Sequence, residues 1–164
     1  MLKEDFSKDD LTWLPNFTKF FTDDYKSIYG KFGYILLLKI CSLKKINEKY
    51  GKNAGDRLLK SLGECILSRV ERPKYRYEGN GFIIIYKEMG REQADADLAF
   101  IELNMAQCFS TYQVGNSGVH SSILKYEKPI KSAADYYQLL YEHLKENTTQ
   151  KEDATLLHHL FEDL

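Results

Sequence analysis

The chain has 164 residues, of which 43% are hydrophobic and 29% are charged, and its formal net charge is −1. These proportions indicate one globular domain and argue against disorder, while the balanced charge argues against nucleic-acid binding through a general positive field. The chain lacks both an apolar run of the roughly 20 residues that a membrane span needs and the pattern of a signal peptide, so we expect a cytoplasmic protein without a membrane span.

The first predicted elements are a helix, a strand and a second, short helix. Apolar residues at helical spacing predict a helix over 17–28, with Asn16 as its cap. The nearly continuous apolar run 34–41 predicts a buried strand. Ser42 is expected to cap the helix 43–50 with its side chain.

A longer helix and a β-hairpin come next. Apolar residues four apart predict one buried face on a helix that runs from about residue 54 to 70. The segments 74–78 and 82–87 have the composition of strands and flank an Asn80-Gly81 pair. Because both of these residues tolerate positive φ, the pair predicts a tight hairpin turn.

The rest of the chain, from residue 94 onward, is predicted to contain three helices and two strands. Helices are expected over 94–108, 133–144 and 156–164, with two strands, 109–114 and 119–124, around a Gly-Asn-Ser-Gly turn. This order predicts an α+β fold with a mainly antiparallel sheet flanked by helices on both faces. We expect a single domain over 1–164, in which 150–164 adds a C-terminal helix.

Charge is unevenly distributed along the chain. Between Lys39 and Lys60 there are seven basic residues and two acidic ones. Such an excess is typical of a solvated helical face, and it also fits an anion site for a nucleotide. Three well-separated cysteines and four scattered histidines predict neither a disulfide framework nor a metal site.

Three stretches of the first half carry long motifs. Residues 9–16 read DDLTWLPN, residues 43–56 read LKKINEKYGKNAGD, and residues 76–82 read RYEGNGF. In order and spacing they resemble the DxLTGLPN, FKxINDxYGHxxGD and RxGGDEF motifs of the GGDEF domain of diguanylate cyclases, with Trp13 at a usual glycine. The resemblance fades beyond about residue 110. It implies the palm-like fold of nucleotidyl cyclases and a place in bacterial cyclic di-GMP signalling.

The resemblance also implies a particular chemistry. Family members join two guanosine triphosphates into cyclic di-GMP on Mg²⁺ or Mn²⁺, and carboxylates are the ligands that suit these cations. Here Lys39 and Cys41 stand at the two acids of the strand, and Asn80 and Gly81 stand at the two acids of the GGDEF letters. We therefore expect a degenerate, non-catalytic site without metal or cofactor. Its altered or surrounding positions are Lys39, Cys41, Glu78, Gly79, Asn80, Gly81 and Phe82.

Other positions match nucleotide-binding residues of the family. Lys44 matches a residue that holds phosphate, and Asn47 and Asp56 match residues that recognise guanine. The alternatives are a helix-end hydrogen bond for Asn47 and a favourable helix-dipole contact for Asp56. Glu78 replaces a glycine that lets the nucleotide approach the backbone, so we expect it to crowd the pocket.

The family's inhibitory product site, RxxD, reads Arg69-Val70-Glu71-Arg72 here, which leaves a basic remnant at Arg69 and Arg72. We expect a regulatory domain that acts through a protein partner, a homodimer or a guanine nucleotide, and that does not bind nucleic acid. The alternatives are an active enzyme with divergent metal ligands and a cyclic di-GMP receptor. If a nucleotide binds, Lys39 is expected to take the place of the metal; otherwise Glu78 neutralises Lys39 in a closed pocket.

Overall fold

A computed structural model describes residues 8–16, 29–77, 79–115 and 117–146. Its strands are β1 (Gly33–Cys41), β2 (Lys74–Tyr77), β3 (Gly81–Lys87) and β4 (Gly118–Tyr126). Its helices are α1 (Leu43–Tyr50), α2 (Lys52–Arg69), α3 (Arg91–Phe109) and α4 (Ala133–Glu146). The predicted helices 17–28 and 156–164, and the side chain of Glu78, lie outside the described residues. None of the helices described is long and apolar enough to cross a membrane.

The four strands form one antiparallel sheet in the order β2-β3-β1-β4. The central strand β1 pairs with β3 on one side and β4 on the other, so that Leu37 lies opposite both Ile83 and Ser122. The predicted fold class, α+β with an antiparallel sheet, is therefore confirmed.

The sheet separates two apolar layers. Alternate residues of β1, such as Leu36 and Leu38, are buried in a cluster with the apolar faces of α2 and α3. The intervening residue Leu37 is buried on the opposite face with Tyr136 and Leu140 of α4. A strand covered on both faces reads as a continuous apolar run, which explains the composition of 34–41.

Two of the predicted details around the turns are wrong. Ser42 precedes α1 with φ 60° and ψ 26°, and its side chain makes no capping hydrogen bond. A capping side chain normally needs an extended backbone at that position, whereas the chain here reverses directly from β1 into α1. In the hairpin, neither Asn80 nor Gly81 has positive φ. Gly81 is instead confined by the carbonyl of Tyr77, which would lie 2.7 Å from an added Cβ.

The predicted strand 109–114 is also wrong. Helix α3 continues to Phe109, whose side chain is buried, and the amide of Tyr112 donates to the Phe109 carbonyl at 2.9 Å in the following turn. The next residues dock on the end of α1, because Lys49 Nζ donates to the Gln113 carbonyl and the Gln113 amide donates to the Tyr50 hydroxyl, both at 2.9 Å. These contacts satisfy the backbone without a strand partner.

Three buried tyrosines are expected to make the folded state less stable at alkaline pH. Burial is the largest cause that raises the pKa of Tyr29, Tyr86 and Tyr126, and for Tyr86 a hydrogen bond to Asp97 at 2.8 Å adds to it. A raised folded pKa contributes stability that is present below the unfolded pKa of about 10 and is lost as pH rises toward the folded pKa.

Above pH about 10, we expect the unfolding free energy of the Tyr86→Phe variant to fall less steeply with pH than that of the parent chain. The difference between the two slopes is expected to be about 1.4 kcal/mol per pH unit. Urea titrations at neutral and alkaline pH measure this slope. The neutral values serve as the control, because they isolate the lost Tyr86–Asp97 hydrogen bond from the titration. Equal alkaline slopes for the parent chain and the variant would contradict the expectation.

Candidate anion site at the end of the central strand

A cavity of about 800 Å³ lies where β1 ends, α1 begins and the β2–β3 turn closes. We call it the lysine cleft; its lining residues are Lys39, Ser42, Leu43, Lys44, Lys45, Asn47, Glu48, Lys52, Gly79 and Asn80. Its volume falls within the range of about 300–1,000 Å³ that is typical of small-molecule sites. The described lining residues border an open cavity. The alternative of a closed pocket depends on Glu78, which lies outside the described residues, and it stays a prediction.

Hydrogen bonds fix Asn80 against β1. The Ile40 amide donates to the Asn80 carbonyl at 3.0 Å, and Asn80 Nδ2 donates to the Ile40 carbonyl at 3.2 Å. A carboxylate at position 80 has no N–H to donate and would face the Ile40 carbonyl with a negative charge. The amide of Asn80 thus has a structural role that an aspartate cannot perform.

The charge of the lysine cleft is positive. Four lysines and, among the described residues, one acid, Glu48, line it. Lys39 is half-buried on β1, directly opposite Gly81 on β3 and His120 on β4. Ammonium groups that border one cavity attract anions and repel divalent cations.

The residues at this site do not fit Mg²⁺ or Mn²⁺, which need several oxygen ligands. Lys39 offers an ammonium group, Cys41 is a buried thiol, and the amide of Asn80 is bonded to the backbone. Within the described ranges, no group of three or more histidines, cysteines, aspartates or glutamates is arranged to hold a metal ion.

Two of the three predicted nucleotide-binding residues line the lysine cleft. Lys44 and Asn47 line the lysine cleft, whereas Asp56 is exposed on α2 and is not among its lining residues. Asn47 Oδ1 accepts a hydrogen bond from the Gly55 amide at 2.7 Å, which is the helix-end role considered as its alternative. An added Cβ at Gly55 would lie 2.6 Å from this oxygen, so a larger residue there would require the Asn47 side chain to shift.

The 9–14 turn holds the hairpin from the other side. Asp9 Oδ2 accepts hydrogen bonds from the amide and the hydroxyl of Thr12 at 2.9 and 2.6 Å, and it lies 3.5 Å from Arg76. Arg76 donates to the carbonyl of Gly79, which links this network to the cleft. Burial lowers the pKa of the Arg76 guanidinium, and the charges of Asp9 and Asp56 oppose that shift.

Trp13 is the departure of the 9–14 turn from the motif. Its φ is 64°, in the left-handed region that favours glycine, and its side chain is 66% exposed. This left-handed conformation explains why the motif usually has glycine at this position. Trp13 adopts it although the conformation is unfavourable for a residue with a side chain.

The remnant of the product site packs against α3. Arg69 Nε lies 3.8 Å from Asp97 Oδ1, and its guanidinium lies 5.0 Å from the centre of the Phe100 ring. Arg72 donates to Gln93 Oε1 at 3.3 Å. Neither arginine lines the lysine cleft, so the two basic regions are separate surfaces.

The sequence did not identify Lys45 and Lys52 as individual site residues. They counted only toward the basic excess between Lys39 and Lys60, which was consistent with an anion site as well as a solvated face. That local excess was the signal that could have identified them, because α1 and α2 fold both lysines onto the same cavity as Lys39.

Comparison with known proteins supports the motif resemblance. A family model described as "Diguanylate cyclase, GGDEF domain" matches residues 7–153. The curated relative "Probable diguanylate cyclase DgcI" of Escherichia coli (strain K12) is 29% identical over 118 residues, which are 70% of this chain. The chain spans about a quarter of the length of that relative, since the match covers 25% of it.

Solved structures show the same fold. The GGDEF domain of DgcB from Caulobacter crescentus, in complex with c-di-GMP, is similar with a TM-score of 0.68 and 20% identity, over 84% of this chain and 87% of that one. The FimX GGDEF domain from Pseudomonas aeruginosa gives 0.62 and 15%, over 85% and 92%. The LapD S helix-GGDEF-EAL protein of Vibrio cholerae, bound to c-di-GMP, gives 0.65 and 14%, over 87% and 34%.

Proposed function

The chain belongs to the GGDEF domain family, and we propose that it is a non-catalytic member, which acts in cyclic di-GMP signalling by binding rather than by synthesis. The observation that carries the proposal is the lysine cleft itself. Where the chemistry of the family needs carboxylates around divalent cations, this chain has the ammonium of Lys39 and an amide, Asn80, that is engaged with the backbone.

The replacements support loss of activity more strongly together than separately. A single missing ligand weakens a metal site, whereas a cation in the ligand position adds repulsion to the missing bond. Lys39, Cys41, Asn80 and Gly81 change all four acid positions at once. We infer that no alternative group of described carboxylates replaces them, since none of the described acids forms a metal cluster.

The proposed role is regulatory and acts through a guanine nucleotide or a protein partner, including a second copy of the chain. The lysine cleft is a cavity of the size of a small-molecule site, although the acids that hold the metal in the family are replaced in this chain. This supports a role in which the cleft still binds a ligand. Exposed Trp13, held in an unfavourable backbone conformation, supports a protein contact, because tryptophan is enriched among the residues that anchor interfaces.

A receptor role for cyclic di-GMP through the remnant of the product site has less support. Arg69 is engaged with Asp97 and Phe100, and Arg72 with Gln93. A ligand at this surface would have to compete with contacts that α3 already makes. The aspartate that completes the family's RxxD motif is Arg72 in this chain.

The proposal is tested by incubating the chain with GTP and either Mg²⁺ or Mn²⁺. We expect no cyclic di-GMP above a control without protein, because the positions of the metal ligands carry a cation and an amide. Chromatography of the products measures the outcome, and a GGDEF domain that keeps all four acids provides the positive control. Product formation that depends on this chain and on the metal would overturn the proposed function.

A further inference from the structure

The charge of the lysine cleft points to a specific mode of ligand binding. Building on the proposed loss of the metal site, we propose that the cleft binds a polyphosphate anion directly, without a divalent cation, and that Lys39 supplies charge that a metal would otherwise bring. The ligand class is the chain of phosphates in a nucleoside triphosphate or in inorganic tripolyphosphate. This goes beyond the proposed function, which leaves open how the cleft holds its ligand.

Three different elements direct lysines at the same cavity. Lys39 comes from β1, Lys44 and Lys45 from α1, and Lys52 from α2, while Glu48 is the acid among the described lining residues. Lysines on one exposed helix face would come from a single element, whereas these come from three elements and border one open cavity. A flexible, phosphate-bearing chain can contact several point charges at once, which suits lysine well.

The backbone of the cleft also favours an anion. Gly79 lines the cleft at the hairpin turn and adds no side chain of its own to it. The first turn of α1 has neither a side-chain cap nor an acidic residue, and its residues Leu43 and Lys44 line the same cavity. The free amides of a helix start add partial positive charge.

The effect of Mg²⁺ has a predictable sign. A divalent cation bound to triphosphate removes two negative charges from the ligand and occupies the oxygens that the lysines would contact. In a site built from carboxylates that cation is required, whereas in a site built from lysines it weakens the attraction. Binding with and without Mg²⁺ therefore distinguishes a lysine site from a conventional one.

Isothermal titration calorimetry of the full chain with GTP in a chelator tests the proposal. We expect saturable binding, and an affinity that falls when Mg²⁺ replaces the chelator. Lys39→Gln is expected to weaken binding by about tenfold, and Lys39→Arg to retain most of it, because the charge is kept. The matched control is Lys60→Gln, which removes an exposed lysine of α2 outside the lining residues and should leave the affinity unchanged.

A parallel titration with inorganic tripolyphosphate identifies the source of the phosphates. Tighter binding of GTP would assign the site to a nucleotide, and equal binding would assign it to free polyphosphate; both support the cleft as a polyphosphate site. Thermal unfolding of each variant verifies that it is folded.

Three results would overturn the inference: no binding of either ligand in chelator, binding that requires Mg²⁺, or equal losses in Lys39→Gln and Lys60→Gln. Failure here is distinguishable from failure of the proposed function, because only the latter produces cyclic di-GMP. Absence of binding together with absence of product would reject the polyphosphate site and leave a non-catalytic protein-interaction domain.

Discussion

The triple variant Lys39→Asp, Asn80→Asp, Gly81→Glu, which restores three family acids, is expected to lose about 3–6 kcal/mol of unfolding free energy and to form no cyclic di-GMP. Restoring acids to a site would ordinarily be expected to restore its metal. Here the surrounding backbone is fitted to the residues that replaced them.

The largest part of this loss comes from Gly81. It lies opposite both Tyr77 and Lys39 in the paired strands, and an added Cβ would be 2.7 Å from the Tyr77 carbonyl and 3.4 Å from the Leu38 carbonyl. Both atoms belong to the backbone of the sheet, so neither can rotate away as a flexible side chain would. Glutamate at this position must displace the hairpin or β1.

The second part comes from Asn80. Its Nδ2 donates to the carbonyl of Ile40, a residue buried in the apolar layer between the sheet and α2. An aspartate in its place would leave that carbonyl without its donor and put a carboxylate beside it, a substitution that costs about 1–3 kcal/mol. Lys39→Asp alone is the control, because Lys39 is half-buried and its replacement is expected to cost about 1 kcal/mol or less.

Urea unfolding of the three single variants and the triple variant measures these contributions, and the product assay is run on each. The single variants should rank Gly81→Glu, Asn80→Asp, Lys39→Asp from most to least destabilising. A triple variant as stable as the parent, or one that makes cyclic di-GMP, would show that the hairpin tolerates the family's acids and that the fitted-backbone explanation is wrong.

The fold was largely predictable because its signals are local. The run 34–41 and the hairpin 74–87 are short, apolar and bounded by glycine or proline, and both form strands close to the predicted limits. The strand 109–114 was predicted from the same kind of composition and is wrong. Its β-forming residues, such as Tyr112 and Val114, pack against the hydrophobic core and do not pair in the sheet. Tertiary contacts therefore override the local β propensity of this segment.

The candidate site was predictable in position but not in detail. Motif spacing placed Lys39, Lys44 and Asn80 in one site, and the structure brings all three to the lysine cleft. The bond from Asn80 to Ile40 depends on how β1 and the hairpin align, and residues 40 positions apart carry no local signal of that alignment. Asp56 also matches the motif, and the structure places it on the exposed surface of α2, outside the lining residues of the cleft.

Gly63→Val is expected to lower the unfolding free energy by about 3 kcal/mol, although Gly63 lies on α2 and outside the cleft. An added Cβ would be 2.7 Å from the Cβ and 3.4 Å from the Cα of Thr12, which is 2% exposed. Thr12 cannot move aside without breaking its two hydrogen bonds to Asp9, which also lies beside Arg76.

The matched control is Glu64→Val, which adds the same β-branched side chain at the next, exposed position of α2 and should cost no more than about 0.7 kcal/mol through helix propensity. Urea unfolding of the two variants separates the steric cost from the propensity cost. Because Arg76 connects Asp9 to the Gly79 carbonyl, the 9–14 turn also supports one wall of the lysine cleft. Equal destabilisation by the two valines would show that α2 and the 9–14 turn are not tightly packed, and that the hairpin is positioned by the sheet alone.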